Sequence, residues 1–185
     1  MWRKKKHNMV QKIGLIVVDL VHDFVDGKFG SDRAERCVEN ITKLVDIAHK
    51  KNWPVVFTRD THIPGDQEFK VWGKHSVEGE ESSELIKQPS EKDFVVKKMR
   101  YDAFFESPLD TILRTKNIDK VIIAGISTDI CVQHTCSGAF YRNYDIVICE
   151  ECTEAIDEKS KQNALGYIEK MYGADRVSLE EIKKW

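Results

Sequence analysis

The chain has 185 residues, 41% of them hydrophobic and 32% charged, with a formal net charge of −2 at pH 7. This is the balance of one globular domain with a sizeable core, and it favours neither a nucleic-acid nor a membrane partner. No stretch approaches the roughly 20 apolar residues a membrane span needs.

Residues 1–10 carry Arg3, Lys4, Lys5 and Lys6 without the apolar run of a secretory signal behind them. They read as a disordered basic tail ahead of one domain over 11–185. Residues 13–18 are apolar throughout and read as a buried strand. Residues 34–51 place Val38, Ile41, Leu44, Val45 and Ala48 at helical spacing. A second strand is expected over 54–58. A long polar stretch over 61–91 follows, and its Phe69, Val71 and Trp72 argue for order. Further strands are expected over 94–96, 121–125 and 146–148, with a short sixth near Val177. Helices are expected over 108–115, 128–141 and 158–171. Wholly apolar strands separated by helices indicate an α/β fold, a parallel sheet covered on both faces.

The five cysteines are odd in number and form no dense framework, which points to a reducing, cytoplasmic compartment. Cys149 and Cys152 form a C-x-x-C after an apolar run. They read as strand-end cysteines in preference to a redox pair, which would normally open a helix.

Ligands of open parallel sheets bind beyond the carboxyl ends of the strands. Asp19, Asp60, the pair Lys97 and Lys98, and Cys131 all fall at that edge. Cys131 lies in the first turn of the helix expected after the fourth strand. There, free backbone N–H groups and the helix dipole favour an anion, so a lowered thiol pKa is expected. The same N–H groups suit an oxyanion. Asp19 is a candidate base if burial raises its pKa, and a lysine from the third strand is a candidate partner for the thiolate. His134, one turn beyond Cys131, and His22, just past Asp19, are weaker alternatives for the base. Asp60 and His62 stand two residues apart in an extended segment, and His75 follows. Two imidazoles and a carboxylate suit a divalent transition metal.

Val17-Val18-Asp19-Leu20-Val21-His22-Asp23-Phe24, Arg59-Asp60-Thr61-His62, Trp72-Gly73-Lys74-His75-Ser76-Val77-Glu78-Gly79, Lys98-Met99-Arg100-Tyr101-Asp102-Ala103-Phe104 and Gly125-Ile126-Ser127-Thr128-Asp129-Ile130-Cys131-Val132 together resemble the motifs of the isochorismatase-like cysteine hydrolases. The nicotinamidase branch is most similar, with N-carbamoylsarcosine amidase second. The resemblance implies a Rossmann-like six-stranded sheet and an Asp19–Lys98–Cys131 triad, which selects Lys98 over Lys97. It implies a cis peptide at Ile126–Ser127 and an oxyanion hole from the backbone N–H groups of Ser127 and Cys131. Phe24 and Trp72 match pocket-lining positions. Asp60, His62 and His75 match metal ligands for zinc, iron or manganese, with no organic cofactor. The implied reaction is hydrolysis of a small amide to acid and ammonia, by a homo-oligomer. His22, Ser76 and the segment Glu80-Glu81-Ser82-Ser83 depart from the usual pattern. So does the lack of a further histidine near Gln67 or Glu68.

Overall fold

Ile13–Val18 (β1) is buried from Gly14 onward, as a strand covered on both faces must be. In the computed structural model, which describes residues 11–185, β1 lies at the middle of a six-stranded sheet. Its neighbours are Val55–Asp60 (β2) and Lys120–Ile126 (β4). Phe94–Lys98 (β3) forms one edge beyond β2. Asp145–Glu154 (β5) and Asp175–Val177 (β6) complete the other side. The order is β3-β2-β1-β4-β5-β6, and every pairing is parallel. The expected basic tail over 1–10 lies outside the described residues. Among the described residues, no helix is long and apolar enough to cross a membrane.

Alternation along the strands divides the core into two layers. Leu15, Val17, Val55, Phe57, Ile122 and Ala124 pack under Asp32–Lys50 (α2). That helix buries Ala34, Cys37, Ile41, Leu44, Val45 and Ala48, a spacing of three and four residues along one stripe. The Ser31 hydroxyl accepts from Ala34 N at 3.2 Å and starts it. Ile16, Val18, Val56, Val121 and Ile123 face the opposite layer. Leu109–Thr115 (α4), Gln133–Tyr141 (α5) and Glu158–Tyr172 (α6) cover that side. The short helices His22–Val25 (α1), Phe69–Trp72 (α3) and Leu179–Lys183 (α7) have too few residues to show a period in sequence.

Two expectations are corrected here. The helix expected over 128–141 begins as a π-helical turn, Thr128–Val132, before α5. The strand expected over 146–148 runs on to Glu154. Ile123 pairs with Ile148 and Gly125 with Thr153, so β4 advances two residues while β5 advances five. The extra residues form a bulge that turns Glu150 toward Arg176 and leaves both Cys149 and Cys152 fully buried within the strand, not at its end. Their Sγ atoms lie 3.0 Å apart.

Gly125 sits against Val18 of β1 with no room for a side chain. Its φ is 129°, and a Cβ there would lie 2.1 Å from the Val18 carbonyl oxygen. Gly125→Ala is therefore expected to destabilise the protein by about 1–3 kcal/mol from backbone conformation alone, with the overlap adding to that. Urea unfolding of the two proteins measures it.

Candidate active site

The site is built where the sheet's carboxyl ends converge. Asp19 follows β1 directly with φ 52°, and its side chain is fully buried. Thr58, from the neighbouring strand, donates to Asp19 Oδ1 at 2.7 Å. The register of β2 and β3 sets Asp60 opposite Lys98. The Lys98 ammonium lies 2.7 Å from Asp19 Oδ2, 3.1 Å from Asp60 Oδ1 and 3.6 Å from Cys131 Sγ. Lys97 points the other way along the alternating strand. It is exposed and pairs with Glu78 at 2.6 Å.

Cys131 reaches this cluster from the π-helical turn. The Ile126–Ser127 peptide bond ahead of the turn is cis. The Ser127 carbonyl accepts from Ile130 N and Val132 N at 3.2 and 3.1 Å. Among the described residues, the Ser127 N–H donates to no backbone carbonyl. A paired threonine braces the turn from below: Thr153 Oγ1 lies 2.8 Å from Thr128 Oγ1 and donates to the Gly125 carbonyl at 2.9 Å.

One buried ammonium therefore faces two carboxylates and a thiol, and the carboxylates divide the consequences. Burial raises Asp19, and Lys98 only partly offsets it, while the Asp60 charge raises it further. Asp60 meets the same burial, but Lys98 and the His62 hydrogen bond together outweigh it and hold its carboxyl at about 2. Asp19 is thus the carboxylate with raised proton affinity. Cys131 departs from expectation. Burial pushes its thiol up, Lys98 opposes this, and the Asp19 and Asp60 charges add to the rise. The expected depression relied on an open helix start, whereas this thiol is only 6% exposed with two carboxylates nearby. Burial and the two carboxylates thus favour the neutral thiol over the thiolate.

A second cluster shares Asp60. Its Oδ2 lies 3.0 Å from His62 Nε2 and 3.8 Å from His75 Nε2. His75 Nδ1 lies 2.8 Å from the Gly73 carbonyl, which can only accept. In the neutral ring, Nε2 therefore carries the lone pair and faces Asp60. Ligand atoms of Asp60, His62 and His75 all fall within 4.8 Å of one another, and all three residues are buried. A buried carboxylate and two imidazoles at this spacing fit a divalent cation of the zinc type. Glu68 Oε2, 3.9 Å from His62 Nε2, stands beside them where no histidine is available.

The segment over 61–91 is ordered by long-range contacts. His62 bridges to Val77 and Val21 to Leu85. Asp23 Oδ2 accepts from Ser76 N at 2.6 Å, and the Lys28 ammonium donates to the Trp72 and Lys74 carbonyls at 2.6 and 3.0 Å. The segment so held roofs a cavity of about 270 Å³ that opens on Cys131, Asp60 and His75. Phe24, Phe29, Trp72, Tyr101, Ile126 and Ile130 supply most of its apolar wall. Phe29 meets Trp72 edge-on at 6.2 Å, and Trp72 Nε1 donates to Tyr101 Oη at 2.9 Å. Among the described residues, the lining includes the carboxylates of Asp60, Glu68, Asp129 and Glu154 but no lysine or arginine. Neither His22 nor His134 lines it. His22 pairs with Asp26, and exposed His134 faces the Ile130 carbonyl. Phe29, Glu68 and Thr58 were not visible as site residues, because only folding brings them there. Tyr101 stood inside a quoted motif and could have been found.

The isochorismatase domain model matches residues 14–181. The isochorismatase family protein PncA of Bacillus subtilis is 30% identical over 178 residues, which cover 88% of this chain and 97% of that protein. The crystal structure of N-carbamoylsarcosine amidase from Thermoplasma acidophilum is similar with a TM-score of 0.86 and 37% identity, covering 92% of this chain and 98% of that one. The crystal structure of nicotinamidase PncA from Bacillus subtilis gives 0.85 and 26%, covering 91% and 100%. With the domain model matching residues 14–181 and a family member 30% identical over most of both chains, this chain belongs to the isochorismatase family of hydrolases.

Proposed function

We propose that the protein hydrolyses a small, uncharged aromatic amide through Cys131, with nicotinamide as the leading substrate. The observation that carries this reading is the Lys98 ammonium, buried within 2.7, 3.1 and 3.6 Å of Asp19, Asp60 and Cys131. Moving the thiol proton to Asp19 leaves the net charge of the buried cluster unchanged. The transfer therefore avoids the cost of creating a new buried charge, which blocks simple ionisation. The thiolate formed beside Lys98 attacks the amide carbon. Backbone N–H groups of Ser127 and Cys131 face the developing oxyanion. Asp19 returns its proton to the nitrogen, ammonia leaves, and a thioester remains. Asp19 then takes a proton from water as that water attacks the thioester, and the acid departs as the thiol is restored.

Asp60, His62 and His75 would hold a divalent metal, which when bound supplies a Lewis-acidic position for a ring nitrogen or a water. Phe24 and Trp72 would flank the ring, and the carboxamide would face Cys131.

The lining charges support a neutral substrate. Among the described residues, no lysine or arginine lines the cavity to pair with the carboxylate of an anion such as N-carbamoylsarcosine. The higher identity to the Thermoplasma amidase favours that ureido-amide as the second reading. Ammonia release from nicotinamide, pyrazinamide, benzamide and N-carbamoylsarcosine, with and without chelator, separates them. Nicotinamide and pyrazinamide should be turned over. Benzamide should fall at least about tenfold in kcat/KM, in line with the loss of one polar contact. Chelation should raise KM for nicotinamide. Chelator-insensitive turnover of N-carbamoylsarcosine alone would select the second reading.

A pH prediction follows from Asp19. It must be ionised to accept the thiol proton, and burial raises its pKa above 3.8. The acid limb of kcat/KM should therefore lie above the ordinary aspartate value, with activity lost as pH falls through it. A limb at or below pH 3.8 would remove Asp19 from the role of base.

A further inference from the structure

We propose that Asp66, clamped by Arg100, is the positioning residue that orients His62 toward a metal held with Asp60 and His75. The inference rests on the metal site of the preceding reading and goes beyond its three ligands. His62 is fully buried, with Nε2 3.0 Å from Asp60 Oδ2 and Nδ1 3.2 Å from Asp66 Oδ2. Its two nitrogens thus face two different carboxylates. A ring that ligates through Nε2 must carry its proton on Nδ1, and that proton needs an acceptor. Among the described residues, Nδ1 has no aligned hydrogen-bond partner, so Asp66 is the carboxylate within reach.

The local role of Asp66 is to brace the turn ahead of α3, and one oxygen accounts for that: Oδ1 accepts from Glu68 N at 2.9 Å. A turn carboxylate ordinarily stands in solvent. The Asp66 side chain is only 3% exposed, and its second oxygen turns inward to the imidazole. Arg100 donates to both oxygens, at 3.2 and 3.0 Å, from the more exposed side. It balances the buried charge and fixes the carboxylate plane. The chain of contacts therefore runs from Arg100 through Asp66 to His62 Nδ1, with His62 Nε2 left facing Asp60. Such outer partners set ring orientation and raise ligand basicity.

The test uses Co²⁺ and Zn²⁺ on the full chain. Asp66→Asn keeps an oxygen for Glu68 N but loses the charge facing His62. It should weaken Co²⁺ binding, read from visible absorption and chelator competition, by about ten- to a hundredfold. Asp66→Glu should restore part of the affinity. Arg100→Gln, which leaves Asp66 facing His62, should cost less than Asp66→Asn. Wild-type affinity in Asp66→Asn, or an equal loss in Arg100→Gln, overturns the proposal. A ¹⁵N spectrum of the Zn²⁺-loaded wild type checks it without a variant. His62 Nδ1 should carry the proton, and a metal on Nδ1 overturns the proposal. Should wild type and His62→Ala take up Co²⁺ equally, the metal reading itself has failed. Saturable, His62-dependent binding that ignores Asp66 removes this inference alone.

Discussion

Cys131→Ala is expected to lower ammonia release by at least about a thousandfold, since Cys131 is the one cysteine that lines the cavity among the described residues and members of a catalytic unit are lost together. The other cysteines are buried elsewhere: Cys37 on the inner face of α2, Cys149 and Cys152 in the same layer, and Cys136 in the opposite one. The fold should survive. The change deletes one sulfur at a site that already touches the cavity, so the cost in unfolding free energy should be about 1–2 kcal/mol. Steady-state kinetics and urea unfolding on the same preparation check both halves. Undiminished turnover would end the thiol mechanism. An unfolded variant would show that the thiol is a packing group.

Lys98→Met should produce the largest stability change of any single substitution at the site. It leaves Asp19 and Asp60 facing each other in a buried cluster with their shared ammonium gone. Removing one partner of a buried pair costs about 3–5 kcal/mol, and here two carboxylates depend on it. The sign with pH is definite. With Lys98 present, Asp60 is held at about 2, so its contribution exists above the unfolded value of 3.8 and fades as pH falls toward 2. Without Lys98, burial loses its largest opponent at both carboxyls, and both move upward. The variant then gains less from ionising them as pH rises than the wild type does. The penalty should therefore shrink on acidification. Urea unfolding at pH 5 and pH 8, in the presence of chelator, measures this. A penalty that does not vary with pH would mean that Lys98 contributes packing and not charge.

Much of this was legible in the residues. The apolar runs ahead of Asp19, Asp60 and Lys98 read as strands of a parallel sheet, and such sheets bind ligands at their carboxyl ends. Local alternation alone could not separate Lys97 from Lys98, and pairing did: β3 meets β2 with Lys98 opposite Asp60, which sends Lys97 to solvent and Glu78. The order over 61–91 was hinted at by three apolar residues. Its form depends on Asp23, Lys28 and Val21, distant in sequence, so no local period could express it. Glu150 and Glu151 read as a strand's end because a bulge exposes polar groups within a strand only when a neighbour such as Arg176 meets them. The thiol's charge state was the furthest from reach. A helix-start position favours the anion, but the outcome depends on burial and on every charge nearby. Chain order places these groups at the sheet's edge. Packing through space buries Asp19, Asp60, Lys98 and Cys131 together, which raises the proton affinity of Asp19, lowers that of Asp60 and favours the neutral thiol at Cys131. Desolvation and Coulomb energies depend on distances through space, and the chain order does not contain them.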